Sequence, residues 1–206
     1  MNKRTLSIIA GISYWIIFFA AIFANFMVLE RIAQDPVGTV VDHHTMVRAG
    51  ILAFMVTVVF DVVVAWALYV IFKDHPLSLP SMLFRMMHAA IMAVAIFALP
   101  MALELSTGDA ILQQVKIFNT IWLIGLFFFG FHLVLLGRIL GRPKLIAVFL
   151  AIAGIMYVVD TCAHFLLPNY AEHADLFLML VAVPSIFGEM ALAVWLLVRG
   201  GKQIAT

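Results

Sequence analysis

The chain has 206 residues, of which 66% are hydrophobic and 11% charged, and its mean hydropathy is +1.15. A soluble domain is about 45–50% apolar and about 25% charged, so a water-soluble fold of this size is excluded and lipid is the expected solvent. The net charge of +1 gives no sign of a nucleic-acid partner, and the single cysteine, Cys162, excludes an intrachain disulfide framework.

Lys3 and Arg4 precede a first apolar run at 7–29. It is longer than the about 7–15 residues of a signal-peptide core, so it reads as a retained helix. Asp35-Pro36-Val37-Gly38 breaks the chain, and the connection 30–45 reads as a loop with a short interfacial helix. A second run covers 46–72 and stops at Lys73-Asp74-His75-Pro76. A third covers 81–103, after Pro80 and before Thr107-Gly108-Asp109. The fourth, 117–140, is joined to the fifth, 144–167, by the tight turn Gly141-Arg142-Pro143-Lys144. Pro168-Asn169-Tyr170 separates the fifth from the sixth, 176–198.

Each run reaches the about 20 residues that a spanning helix needs. Lipid offers no partner for free backbone groups, so helix is the expected form. The runs are too long and too uniformly apolar for barrel strands. No polar stretch exceeds about 15 residues, far below the about 50 of a soluble domain. Residues 1–206 therefore read as one all-α domain, a polytopic membrane protein built as a bundle of six transmembrane helices.

Orientation follows from Lys and Arg near the spans. Lys3, Arg4, Lys73, Arg138, Arg142, Lys144, Arg199 and Lys202 fall on one side, against Arg31, Arg48 and Lys116 on the other. This assigns both termini to the cytoplasm, as an even number of spans requires. Helices four and six share a local pattern, Phe129-Gly130-Phe131-His132 against Phe187-Gly188-Glu189, which reads either as a trace of three repeated helical hairpins or as chance similarity among apolar segments.

An ionisable side chain inside a span costs about 2.5–3.5 kcal/mol on insertion scales and faces the bundle interior. Measured from the cytoplasmic helix ends at 1.5 Å per residue, Asp61 lies roughly 16 Å deep, Glu189 roughly 13 Å, His132 roughly 12 Å, His88 roughly 10 Å and Arg85 roughly 6 Å. Arg85 and His88, at i and i+3, share a helix face. The expectation is one polar cluster in which Arg85 pairs with Asp61 or Glu189. Two blander readings stand beside it: an ion pair that only fixes helix packing, and snorkelling of Arg85 to the interface.

Toward the outer side, Tyr157, Asp160, Thr161 and His164 lie on one stripe of helix five. Asp160 and His164, with Glu104 or His43 and with Asn25, Asn119, Asp42, His44 and His173 within reach as further polar residues, offer carboxylate and imidazole ligands suited to a divalent metal. The plain alternative is a hydrogen-bonded pair near the interface. His88 and His132, at similar depth on consecutive helices, have the form of axial haem ligands. No G-x-S-x-G, H-E-x-x-H, P-loop or dinucleotide motif is present.

Between residues 7 and 200 the chain resembles the bacterial six-helix membrane proteins grouped as domain of unknown function 4386. The resemblance rests on Phe84-Arg85, on Gly130-x-His132-Leu133-x-x-Leu136-Gly137, and on Tyr157-x-x-Asp160 with Phe165-x-x-Pro168-x-Tyr170. It rests also on Gly188-Glu189-x-x-Leu192-x-x-Trp195-Leu196-Leu197-x-x-Gly200. It implies a multi-pass protein of the bacterial inner membrane and no particular reaction. It picks out Arg85, His132, Asp160 and Glu189; His88 and His164 lie outside its pattern.

The leading reading is a small membrane protein whose buried ionisable cluster binds a small ligand, an ion or a proton, as a sensor, a regulator or a minor transporter. Arg85 would be the clamp, Asp61 and Glu189 its counter-charges or proton acceptors, and His132 the titratable partner. One rival is a metal-dependent hydrolase or lipid-modifying enzyme working through Asp160 and His164. Another is a structural subunit beside a protein partner, which predicts fully paired buried charges and no cavity.

Overall fold

The computed structural model describes residues 1–201, so Lys202 lies outside the described residues. Six helices are long and apolar enough to cross a membrane: α1 (Lys3–Gln34), α2 (His44–Ile71), α3 (Ser78–Ala102), α4 (Gly108–Leu140), α5 (Lys144–Leu166) and α6 (Tyr170–Val198). No strand occurs among the described residues. A short helix, Pro36–Asp42, lies between α1 and α2. Asp35 caps it, its Oδ1 accepting from the Gly38 amide at 3.0 Å, and Pro36 occupies the first turn, where its missing N–H costs nothing.

Several helices exceed the apolar runs that marked them. The run assigned to 117–140 begins in fact at Gly108. The added turns are amphipathic, with Ile111, Val115 and Phe118 buried on one face, so a threshold on apolar content passes over them. The first helix likewise extends to Lys3 and Gln34, the third starts at Ser78, and the sixth opens with a tight turn at Tyr170–His173. Gly141 ends α4 with φ +57°, a left-handed geometry natural to glycine.

Three helices are irregular. α1 widens into a π-turn at Phe23–Leu29. α3 tightens at Phe97, whose amide bonds back to the Val94 carbonyl, just before Pro100 denies the helix an N–H. α6 contains Pro184, and the π-turn Ile186–Met190 follows it directly. Proline removes the bond to the residue four positions back, and a wider turn absorbs the defect.

Each helix packs on its neighbour in sequence, and α6 returns to pack on α1, so the six close into a ring. Arg4 fastens that closure: its guanidinium donates to the carbonyls of Leu196, Leu197 and Gly200 at the end of α6. A cation there also meets the negative end of the helix dipole. Two apolar cores fill the ring. One, toward the basic end, contains Leu6, Leu68, Leu133, Leu136, Leu150 and Leu192. The other contains Val28, Ile32, Phe54, Leu99, Ile111 and Phe118.

The tightest crossing joins α4 to α5. A Cβ added at Gly130 would stand 2.6 Å from the Gly154 carbonyl oxygen, and one at Gly137 would stand 2.6 Å from the Ala147 carbonyl oxygen. Small residues let the two backbones touch where lipid gives no hydrophobic drive to helix association. Gly130→Leu is therefore expected to lower stability by about 1–3 kcal/mol, read as an earlier thermal unfolding midpoint of the protein in mild detergent. Leu substituted at the lipid-facing Ile124 serves as the control and should melt with the wild type.

Candidate functional site

Arg85 sits at the centre of the ring. It is only 1% exposed, which rules out snorkelling to the interface. Its side chain contacts three other helices. Nε and Nη2 donate to Asp61 Oδ1 on α2 at 3.0 and 2.5 Å, and Nη1 donates to the Tyr14 hydroxyl on α1 at 2.9 Å. Nη1 also meets His132 Nε2 on α4 at 3.3 Å. Two aromatic faces complete the enclosure: the guanidinium carbon lies 4.9 Å from the Tyr14 ring centroid and 5.2 Å from that of Phe129. Such contacts favour a desolvated cation.

Helix boundaries explain how Arg85 reaches Asp61. Counted from the observed ends, Asp61 is about 15 Å and Arg85 about 10 Å from the basic side. The extra turn at Ser78 removes about half of the offset implied by the apolar runs. Asp61 and Arg85 together form a neutral pair, buried on both sides.

The hydrogen-bond pattern fixes the state of His132. A guanidinium is a donor only, so His132 Nε2 accepts. Nδ1 then carries the hydrogen and donates to the Ser81 carbonyl at 2.9 Å. The Ser81 hydroxyl stands 2.9 Å from the same nitrogen. His132 is thus the neutral Nδ1–H tautomer in this arrangement. His88 completes the group: its Nε2 is 3.8 Å from Asp61 Oδ2, and its buried Nδ1 has no hydrogen-bond partner. Gly125 faces that nitrogen, where an added Cβ would stand 3.3 Å away.

A cavity of about 10 Å³ adjoins the group, lined by Ser81 and His132 and, toward the basic end, by Tyr69, Phe72 and Ser78. It has room for about one water. A second opening, an apolar groove of about 500 Å³ between α1 and α6, is walled by Trp15, Met190, Val194 and Trp195, with Arg199 at one end. It lacks the converging polar groups of a small-molecule site.

Four of the five expected cluster residues therefore meet: Asp61, Arg85, His88 and His132. Glu189 does not join them by a hydrogen bond or ion pair. Its Oε1 accepts from Ser185 Oγ at 2.6 Å, and Ser185 Oγ lies 3.1 Å from the Tyr157 hydroxyl on α5. Glu189 lies within the π-turn Ile186–Met190, a local widening that depth counting along a regular helix does not include. Sequence reasoning passed over Tyr14, Ser81 and Phe129. A usable signal existed for Tyr14, which lies roughly 16 Å along its helix rather than in an interfacial aromatic belt. Ser81 is one turn before Arg85 on the same face.

The outer residues form no comparable centre. Asp160 accepts from the Tyr170 hydroxyl at 2.6 Å, and the His164 ring packs edge-on against Tyr170. His43, Glu104 and His164 are exposed. Among the described residues no three His, Cys, Asp or Glu side chains are grouped to hold a metal ion. The haem arrangement also fails on packing. The Phe129 ring lies 4.7 Å from the His88 ring and 5.7 Å from the His132 ring, centroid to centroid. Both nitrogens of His132 are engaged, and the adjoining cavity admits no porphyrin.

Comparison with known proteins agrees with this architecture. A relative in the archaeon Archaeoglobus fulgidus, described as an uncharacterized protein, is 28% identical over 159 residues, spanning 74% of this chain and 85% of its own length. No solved structure matches the chain. The family described as "Domain of unknown function (DUF4386)" matches residues 9–200, and with all six helices inside or overlapping that range, the chain belongs to this family.

Proposed function

We propose that this is a proton-responsive membrane protein, acting as a sensor or regulator or as a minor proton-coupled transporter. It would lie in the cell membrane, for a bacterium the inner membrane, with both termini in the cytoplasm. The reading is carried by one observation: Arg85 Nη1 donates to His132 Nε2. A second proton on His132 would set two donors against each other at 3.3 Å. The pair would have to separate, and Arg85 holds Tyr14, Asp61 and His132 together across α1, α2 and α4. Protonation at one nitrogen is thereby coupled to the packing of four helices.

The small cavity at Ser81 and His132 supports a proton or a water-sized species over an organic ligand. It lies on the basic side, so the cytoplasm would supply the proton. A purely structural role predicts fully paired buried charges and no cavity, whereas a small cavity adjoins His132 and the buried His88 Nδ1 has no hydrogen-bond partner. An unsatisfied buried group costs about 1–3 kcal/mol, and this one has Asp61 on the other side of its ring, ready to share a proton that arrives there.

Two measurements test the reading. In lipid nanodiscs, fluorescence of Trp15, adjacent to Tyr14, is expected to change with pH in the wild type and to stay flat in His132→Gln. A full transition surviving in His132→Gln would overturn the assignment. Proton flux into proteoliposomes, if present and stopped by the same substitution, marks the transporter form; a fluorescence transition without flux marks the sensor.

The second measurement concerns the ion pair. Asp61→Asn and Arg85→Met, each leaving one charge or its partners stranded, are expected to cost about 3–5 kcal/mol. The double substitution Asp61→Leu/Arg85→Met should recover most of the melting temperature and lose the pH response. Recovery of both stability and response would show that the pair serves packing only.

A further inference from the structure

Two carboxylates within the spans are shielded from solvent yet lack a cationic partner among the described residues. Asp160 lies near the end of α5 and is held by the Tyr170 hydroxyl. Glu189 lies nine positions before the end of α6, at Val198, roughly 13 Å along the helix. It is half-buried in the bundle, beside Phe187 and Ile186, which face outward to lipid. An unpaired charge in hydrocarbon is costly enough that such groups mark functional sites.

The local chain is built to hold this carboxyl in place. Pro184 has no N–H to give, the helix widens over Ile186–Met190, and Ser185 and Glu189 come to the same side facing α5. Tyr157, Ser185 and Glu189 then form a row of hydroxyl, hydroxyl and carboxyl oxygens at 3.1 and 2.6 Å. In that row the tyrosine can donate to the serine and the serine to Glu189 Oε1, while Oε2 has no hydrogen-bond partner among the described residues. The titratable groups around Glu189 are Tyr157 on α5 and Tyr14 on α1, with Arg85 on α3 and Asp61 on α2 beyond them. Arg85 is already balanced by Asp61, so no free positive charge remains for Glu189.

We propose that Glu189, Ser185 and Tyr157 form a second proton-binding site, separate from the Arg85 centre and reachable from the bilayer. The proton resides on the Glu189 carboxyl, and the two hydroxyls orient and stabilise it. This site stands whether or not His132 responds to pH, because it shares no hydrogen bond with the Arg85 group.

Dicyclohexylcarbodiimide tests it, being apolar and reactive toward carboxyl groups that carry a proton. The full-length protein in nanodiscs is treated with the reagent, digested and mapped by mass spectrometry. The expected result is one adduct at Glu189, lost in Glu189→Gln, retained in His132→Gln, and diminishing as pH rises. Asp61 should stay unlabelled, and a water-soluble carbodiimide should label loop residues such as Glu104 and Glu172 instead. Folded wild type with no adduct at Glu189 overturns the proposal. So does labelling of Asp61 to the same extent, or labelling of Glu189 by the water-soluble reagent alone.

Discussion

The whole bundle is organised around a cation that cannot leave the bilayer. Arg85 is fixed in α3, too far from either end to reach water, and a guanidinium in hydrocarbon has to be neutralised and hydrogen-bonded where it stands. Asp61 supplies the charge, Tyr14 and His132 meet Nη1, and two aromatic rings cover the faces. Those demands fall on four different helices. The ring of neighbours is therefore drawn to one point, and the rotation of α1, α2 and α4 about their own axes is set by which residue each must present.

That centre divides the apolar interior. Toward the basic end the core is rich in leucine and closed by Arg4, which ties the first turn of α1 to the last carbonyls of α6. Toward the other end, Phe54, Phe118 and Trp122 stack together between α2 and α4. Apolar side chains alone would hold helices loosely in lipid, since the tails compete on equal terms. Close backbone approach at Gly130, Gly137 and Gly154 and the polar layer between the two cores supply the specificity instead.

Much of this was legible in the sequence. Six spans follow from apolar length, and the depth of Asp61, His88 and His132 follows from counting turns. What counting cannot give is azimuth. Glu189 has the right depth to meet Arg85, but it lies in a π-turn after Pro184 and bonds to Ser185 instead, and nothing in a helical projection announces that turn. Tyr14 and Phe129 escaped notice for a different reason: in an apolar span an aromatic residue is ordinary, and its role as a lid on a cation depends on which helix lies opposite. The outer residues matched by depth do not gather into a group of three metal ligands among the described residues, because side chains at equal depth need not face one another, whereas His88 and His132 do meet, with Phe129 packed against both rings.

The shared Phe-Gly element of α4 and α6 has a packing basis. Gly130 lies on the Gly154 backbone and Gly188 lies on the Leu150 backbone, so both helices press closely against α5, one turn apart along it. In each case the polar residue that follows, His132 or Glu189, is carried inward by the same close contact. One of them enters the balanced Arg85 group; the other meets only hydroxyls. The bundle thus holds two polar groups of different character at similar depth: one in which Arg85 is balanced by Asp61, and one in which the Glu189 carboxyl is held by hydroxyls and has no cationic partner among the described residues. Phe129 stands between them, its ring against Arg85 on one side and 5.6 Å from Tyr157 on the other, so a packed aromatic ring rather than a hydrogen bond separates the two groups.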